Sequence, residues 1–232
     1  MTRKPSLAWS LILLLLVMLL AEFTTLDLRV QDFFYREEIQ SWIVDKDAFW
    51  PRMLFYVWPK WLVVLVAIGT LIALGLVWKR RLPMRQRRPL ILLLACLILV
   101  PGVISGMKNI TNVHCPWSLS RYGGSLPFVP LLATQPDDFP AVRPGKCFPA
   151  GHPSGGFAFM VLYHLLPTRR QRWLGLGAGL TLGWIMGLYQ MMKGAHFPSH
   201  VLVSMLLSWL IIAGAEAMVS RRWPDPRPQE RS

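Results

Sequence analysis

The sequence predicts an all-α integral membrane protein: a bundle of six transmembrane helices with a long outer-face loop and a short interfacial helix. Hydrophobic residues make up 53% of the 232 residues and gather in long blocks, while basic residues cluster in alternate connections. A helix needs ~20 mostly apolar residues to cross the ~30 Å hydrocarbon core. The spans of this single membrane domain, 1–232, are expected at 7–23, 61–78, 90–107, 154–167, 174–192 and 201–219.

Three of these spans depart from a plain apolar helix. The first resembles a signal peptide, but no small-residue cleavage site follows it, so we expect a retained anchor. The third span contains Pro101. The fourth has about 13 residues before Pro167, which is only ~20 Å of helix. Its outer end is therefore expected to lie below the membrane surface.

The net charge of +13 is distributed in a way that predicts topology. With the amino terminus inside, the inner segments carry 15 of the 25 lysines and arginines but only two acidic residues, Asp225 and Glu230. Short basic loops are typical of the cytoplasmic side of membrane proteins. We therefore expect both termini in the cytoplasm. Topology and contact with anionic lipid explain the charge without any nucleic-acid partner.

The two larger outer loops differ in composition. The first, 24–60, is dense in aromatic residues, which is typical of an interfacial belt and favours a short helix lying in the membrane surface. The second, 108–153, is rich in proline and glycine and lacks helical or strand periodicity. Loops of this length without regular structure are usually either functional or disordered. This loop is our predicted active-site loop.

The three cysteines have different expected roles. Cys96 lies inside an apolar run and is expected to be a small core residue. Cys115 and Cys147 both fall in the second outer loop. On an oxidising side of the membrane they can form a disulfide, and two free thiols are the alternative.

The histidines predict where the chemistry lies. Four of the five are on the outer side of this topology: His114, His152, His196 and His200. His152 comes just before the fourth span and His196 just after the fifth, while Lys108 ends the third. Three segments distant in sequence would then meet at one depth. A recessed polar pocket at that depth suits a lipid headgroup whose tails remain in the bilayer.

These residue types favour phosphoryl transfer. Lysine neutralises phosphate oxygens in both the ground state and the transition state. One imidazole can attack phosphorus while a second protonates the leaving oxygen, because histidine titrates near neutral pH. Backbone N–H groups around Gly151, at the start of a helix, offer a further anion site.

Three short motifs resemble the signatures of the type 2 phosphatidic acid phosphatase superfamily. Its patterns are Lys-x6-Arg-Pro, Pro-Ser-Gly-His and Ser-Arg-x5-His-x3-Asp. This chain contains Lys108-x6-Cys115-Pro116, Pro149-Ala150-Gly151-His152 and Tyr189-Gln190-x5-His196-x3-His200, in the same order. By this resemblance His196 is the nucleophile and His152 the general acid. Lys108 and the Gly151 amide would bind phosphate, and His200 would orient the nucleophile.

The chain departs from the family patterns at four positions. Cys115 and Gln190 stand where the family has arginines, Ala150 replaces a serine, and His200 replaces the aspartate. Two phosphate-binding guanidinium groups are therefore missing. Nearby cations are candidates to replace them: Arg121 and Lys193.

The resemblance implies hydrolysis of a phosphomonoester or diphosphate on a membrane lipid, at the periplasmic face of a bacterial inner membrane. Undecaprenyl diphosphate, phosphatidic acid or phosphatidylglycerol phosphate, and lipid A are the candidate substrates. No cofactor and no metal are expected, although His196 and His200 with His152 or His114 form an alternative zinc set. A lipid-to-lipid phosphotransferase and an inactive lipid-binding protein on the same scaffold are the rival functions. The sequence does not predict the oligomeric state.

Overall fold

The computed structural model describes residues 7–131 and 145–224, which are mostly helical. Both chain termini, expected in the cytoplasm, and residues 132–144 of the predicted active-site loop lie outside this part. The helices are α1 (Leu7–Phe23), α2 (Leu26–Asp32), α3 (Phe49–Arg52), α4 (Trp58–Trp78), α5 (Arg87–Met107), α6 (Gly151–Phe157), α7 (Leu162–Leu165), α8 (Arg169–Met192) and α9 (Pro198–Arg222). An antiparallel hairpin pairs β1 (Tyr35–Arg36) with β2 (Ser41–Trp42).

Three helical stretches of the described chain are long and apolar enough to cross a membrane: Phe49–Trp78, Met84–Met107 and Pro198–Arg222. A π-helical turn, Met53–Val57, joins α3 to α4 in the first of them. A fourth crossing results if α1 and α2, which meet at an angle of 78°, count as one span. The chain is therefore a helical membrane protein. The count of six spans and the interfacial helix remain predictions.

The segment expected as the fourth span is built from short pieces. α6 runs into a 3-10 helix at Ala158–Val161 and then into α7, so no single long helix forms there. α8 packs against it through glycine. A Cβ on Gly183 would overlap the Phe157 ring, and one on Gly156 would lie 2.6 Å from the Gly183 nitrogen. Glycines at such a contact allow two helix backbones to approach closely.

The main apolar core lies between α5 and α9. Leu92, Val100 and Ile104 of α5 are fully buried, as are Val201 and Ile212 of α9. The Cys96 thiol is buried in the same core, as the sequence indicated. These two helices bring their ends together at Lys108 and Pro198, which places the segments around them side by side.

The connection after α1 packs over that end of the bundle. Tyr35, Trp42 and Tyr122 form an aromatic cluster with ring centroids 5.0 to 5.3 Å apart. The Trp42 ring lies directly on Gly194, whose φ of +73° favours glycine, and a Cβ there would overlap the indole. The Gln31 amide donates to the Met191 carbonyl at 2.8 Å. These contacts fix the turn between α8 and α9, which carries His196.

Candidate active site

A pocket of about 640 Å³ opens at this end of the bundle. Its lining includes five residues that the sequence singled out: Lys108, Gly151, His152, Lys193 and His196. These residues come from the end of α5, the start of α6 and the turn after α8. The structure thus brings together five of the seven predicted site residues, across 88 positions of sequence.

Lys108 and Gly151 are in direct contact. Lys108 follows the last residue of α5, and Gly151 opens α6. A Cβ at position 151 would lie 3.1 Å from Cε and 3.3 Å from Nζ of Lys108, and 3.0 Å from the Ser105 hydroxyl. Glycine therefore lets the ammonium group lie against the backbone beside His152. Burial lowers the pKa of Lys108 from its usual value.

His152 is held by Tyr56, from the π-helical turn before α4. The two rings stack with centroids 4.0 Å apart and an interplanar angle of 12°. Among the described residues, His152 Nε2 is buried and has no hydrogen-bond partner. Stacking therefore helps to fix the orientation of the ring, and Nε2 keeps an unused hydrogen-bonding capacity.

His196 lies in the turn that joins α8 to α9 and is only 5% exposed. The turn is closed by a hydrogen bond of 2.8 Å from the Ala195 amide to the Gln190 carbonyl. Burial is the main cause that lowers the pKa of His196 well below its usual value, and the nearby His200 and Lys108 act in the same direction. The imidazole is therefore neutral at neutral pH, which is the form that can act as a nucleophile.

His200 lies behind His196 and does not line the pocket. Its ring centroid is 5.7 Å from that of His196, with an interplanar angle of 65°. Phe148 and Phe197 flank it at 5.2 and 5.4 Å. The opposite side of His200 borders a smaller cavity, which is also lined by Asp27 and His114. His200 therefore acts on the site from behind His196, and its carbonyl also accepts from the amide of Ala150, the residue before Gly151, at 3.2 Å.

Lys193 is a cation of the pocket wall. Its ammonium nitrogen lies 5.0 Å from the Tyr56 ring centroid and 4.8 Å from that of Tyr189. Cation–π contacts of this kind restrict where the charge can lie. Burial, followed by the charge of Arg52, lowers the pKa of Lys193. This lysine occupies the same pocket as Gln190, the residue that replaces a family arginine.

Arg121, the other candidate replacement, lies elsewhere. Its Nε donates to Asp32 Oδ1 at 2.9 Å and its terminal nitrogen to Oδ2 at 2.7 Å. The same carboxylate accepts from the Tyr122 hydroxyl at 2.9 Å. Arg121 does not line the pocket. Its two-point ion pair instead ties the long loop to α2.

The predicted disulfide between Cys115 and Cys147 is present, with the two Cα atoms 5.2 Å apart. Both half-cystines line the pocket. The bridge therefore joins the two described ends of the long loop at the site itself. Hydrogen bonding of the Cys147 amide to the Val113 carbonyl at 3.0 Å adds to this connection.

Sequence patterns did not single out several lining residues, among them Tyr56, Lys60 and Lys146. Tyr56 and Lys60 were grouped with the interfacial aromatic loop, and no periodicity links that loop to His152. The position of Lys146 next to Cys147 was a usable signal, because the disulfide fixes it near Cys115. Among residues 7–131 and 145–224, no three His, Cys, Asp or Glu side chains are grouped to hold a metal ion.

Fold and site together define a helical membrane protein with a cationic pocket that carries two histidines. The PAP2 superfamily model matches residues 89–224, more than half of the sequence, and the chain belongs to that superfamily. This confirms the resemblance read from the motifs. A relative, the lipid A 4'-phosphatase of Francisella tularensis subsp. novicida (strain U112), is 24% identical over 189 residues, 77% of this chain and 79% of the relative. No solved structure matches the chain.

Proposed function

We propose that this protein is a lipid phosphate phosphatase that works through a phosphohistidine. Membership of the PAP2 superfamily and the phosphatase relative support the phosphatase assignment. The name of the relative makes a lipid A-type phosphate the first substrate to test. Undecaprenyl diphosphate, phosphatidic acid and phosphatidylglycerol phosphate remain the other candidates.

One observation carries the proposal: Lys108, His152 and His196 line a single pocket. Each of them comes from a different segment of the chain, and each supplies one function that phosphoryl transfer needs. A cation binds the oxygens, a neutral imidazole attacks, and a second imidazole delivers a proton.

The binding step depends on the cations of the wall. Lys108 and Lys193 place two ammonium groups in the pocket, and Gly151, whose amide is the proposed anion donor, lies beside the first of them. Together they would hold the non-bridging phosphate oxygens in place of the missing arginines. The negative charge of the bound phosphate would in turn favour the protonated form of His152.

In the chemical step, a ring nitrogen of His196 forms a bond to phosphorus while the bond from phosphorus to the leaving oxygen breaks. His152 gives its proton to that oxygen, which departs as an alcohol or as phosphate. Water then attacks phosphorus, His152 accepts the water proton, and the P–N bond breaks to release inorganic phosphate. His200, which lies behind His196 and does not line the pocket, would act as a positioning residue. No metal enters these steps.

An apolar lower wall supports a lipid substrate. Below Lys108 the pocket is lined by Val63 and Ala67 of α4 and by Leu97 and Pro101 of α5. Leu97 lies eleven residues before Lys108, which is ~16 Å along a helix. A headgroup bound at the histidines would therefore leave its first chain atoms on apolar side chains. We place the pocket at the periplasmic face of a bacterial inner membrane.

Phosphate release by the purified protein, measured over a panel of lipid phosphates with and without a chelator, tests the proposal. We expect turnover that the chelator does not change. Loss of activity with the chelator and its recovery with zinc would favour a metal enzyme. Radiolabel transferred to an added acceptor lipid, instead of to free phosphate, would make the protein a phosphotransferase. Binding of lipid phosphates without any turnover would contradict the enzymatic function.

A further inference from the structure

Two lysines without a role in the chemistry above face the same pocket. Lys60 is the third residue of α4, and Lys146 precedes the half-cystine Cys147. Both line the pocket, and both side chains are exposed, in contrast to the half-buried Lys108 and Lys193. Lys60 is close enough to act electrostatically on His152. These two lysines, which we call the outer lysine pair, are the more exposed of the four lysines that line the pocket.

Within residues 7–131 and 145–224, the charge of the pocket is uncompensated. Lys60, Lys108, Lys146 and Lys193 give it four ammonium groups, and none of its described lining residues is acidic. The ion pairs found among the described residues, such as Arg88 with Glu216, involve none of the four. Like charges around a partly enclosed cavity repel one another and attract anions. An anionic ligand would offset this repulsion.

A single phosphomonoester does not balance four ammonium groups. It carries at most two negative charges, because its second ionisation falls near pH ~6. Lys108 and Lys193 match that charge, and they are also the lysines held in place, one against Gly151 and one between Tyr56 and Tyr189. The outer lysine pair then has no anionic partner in the part of the chain that the structure describes.

We propose that Lys60 and Lys146 form a second anion subsite, which binds a phosphoryl group of the substrate other than the one attacked by His196. The proposal rests on the phosphatase function given above. The substrate class is therefore a lipid with two phosphoryl groups, either adjacent in a diphosphate or separated on a larger headgroup. The exposure of both lysines lets their long side chains adjust to either spacing.

Matched substrate pairs test this subsite. Farnesyl diphosphate and farnesyl monophosphate differ by one adjacent phosphoryl group. A bis-phosphorylated glucosamine disaccharide lipid and its monophosphorylated form differ by a remote one. For the Lys60→Ala/Lys146→Ala protein we expect kcat/KM to fall roughly tenfold or more on a doubly phosphorylated lipid, the loss of one charge-assisted contact. On the matched monophosphate we expect kcat/KM to change by no more than about twofold, because the two exposed lysines would contact no charged group of that substrate.

The outcomes separate the possibilities. A selective loss in the farnesyl pair identifies a diphosphate, and one in the disaccharide pair identifies a remote phosphate. Equal losses on both members of each pair, or no loss at all, would overturn the subsite. The control is Lys46→Ala, an exposed lysine of the α2–α3 connection outside the pocket. Lys60→Gln/Lys146→Gln keeps a flexible polar side chain without the charge, which guards against a folding defect.

A binding measurement separates this inference from the proposed function. His196→Ala protein is titrated with the same four lipids in detergent micelles, with and without the two lysine substitutions. If wild-type protein releases no phosphate from any lipid, the phosphatase proposal fails, yet tighter binding of the doubly phosphorylated lipids that disappears with the outer lysine pair still supports the subsite. Equal affinity for both members of each pair would refute it.

Discussion

Tyr56 stacks face to face on His152, with the ring centroids 4.0 Å apart, although 96 residues separate them in sequence. The same tyrosine ring contacts the Lys193 ammonium group at 5.0 Å. One aromatic side chain from the segment before α4 therefore positions both the proposed general acid and a proposed phosphate-binding cation. Tyr56 supplies no group to the proposed chemical steps, so we infer that its role is to hold its two neighbours.

Replacing Tyr56 tests this positioning role. Tyr56→Ala should lower kcat by between roughly tenfold and a hundredfold, because displacing a catalytic group by about 1 Å can slow the reaction by that factor. Tyr56→Phe retains the ring face and should keep most of the activity. Phosphate release at saturating substrate measures the effect. If Tyr56→Ala raises KM and leaves kcat unchanged, the tyrosine binds substrate and does not position His152.

Asp27 in α2 caps the start of α9. Its carboxylate accepts from the Ser199 amide at 2.9 Å and from the Ser199 hydroxyl, and the pair is buried. Asp27→Ala should cost about 1–3 kcal/mol in unfolding free energy, since a buried N–H loses its acceptor. Activity should fall as well, because His200 follows Ser199 directly.

Thermal unfolding in detergent, read alongside phosphate release, measures both effects of Asp27→Ala. Ser199→Ala removes only the hydroxyl contact and keeps the amide donor, so it should cost less than Asp27→Ala. An Asp27→Ala protein as stable and as active as wild type would show that α2 does not support the site.

Arg121 and Lys193 should behave differently on substitution. Arg121→Ala removes an exposed ion pair with Asp32, which is worth about 1 kcal/mol or less, and kcat/KM should stay within about twofold. Lys193→Ala removes a cation of the pocket and should lower kcat/KM roughly tenfold or more. A large loss of kcat/KM for Arg121→Ala with unchanged stability would mean that Arg121 reaches the substrate after all.

The lowered pKa of His196 predicts the acid limb of the pH profile. A protonated imidazole cannot attack phosphorus, and a group whose pKa is lowered stays neutral to a lower pH. Once the ionisation of the lipid phosphate, titrated separately by phosphorus NMR, is divided out, kcat/KM should not decline as the pH falls through ~6.5, the ordinary pKa of histidine. A midpoint at or above that pH would contradict the lowered pKa of His196. It would mean that a different group controls the acid limb, or that His196 is less buried than in this structure.

The parts of this molecule that the sequence predicted are those that depend on local pattern. Long apolar runs coincide with α1, α4, α5 and α9, because burial in lipid requires such runs whatever the neighbours are. α8 is less apolar because its glycines meet α6 at close range, a packing relation that hydropathy does not measure. The disulfide followed from two cysteines in one outer loop.

The parts that the sequence did not predict depend on pairings between distant segments. Arg121 lies in a loop without periodicity, so nothing in the sequence indicated that it would form an ion pair with Asp32, 89 residues earlier. Tyr56 and Lys60 looked like interfacial residues because aromatic and basic side chains at the end of a span serve that role in many proteins. Only the packing of the π-helical turn against α6 and α8 shows that they face the pocket.

A trapped phosphoenzyme is the most direct test of the central claim that His196 attacks phosphorus. Protein mixed with a lipid labelled in its terminal phosphate and quenched rapidly in alkaline denaturant should carry label on the peptide that contains residue 196. The label should be lost in acid, as expected for a P–N bond, and should be absent from folded His196→Ala protein. Label on another residue, or phosphate release by His196→Ala at the wild-type rate, would contradict the account.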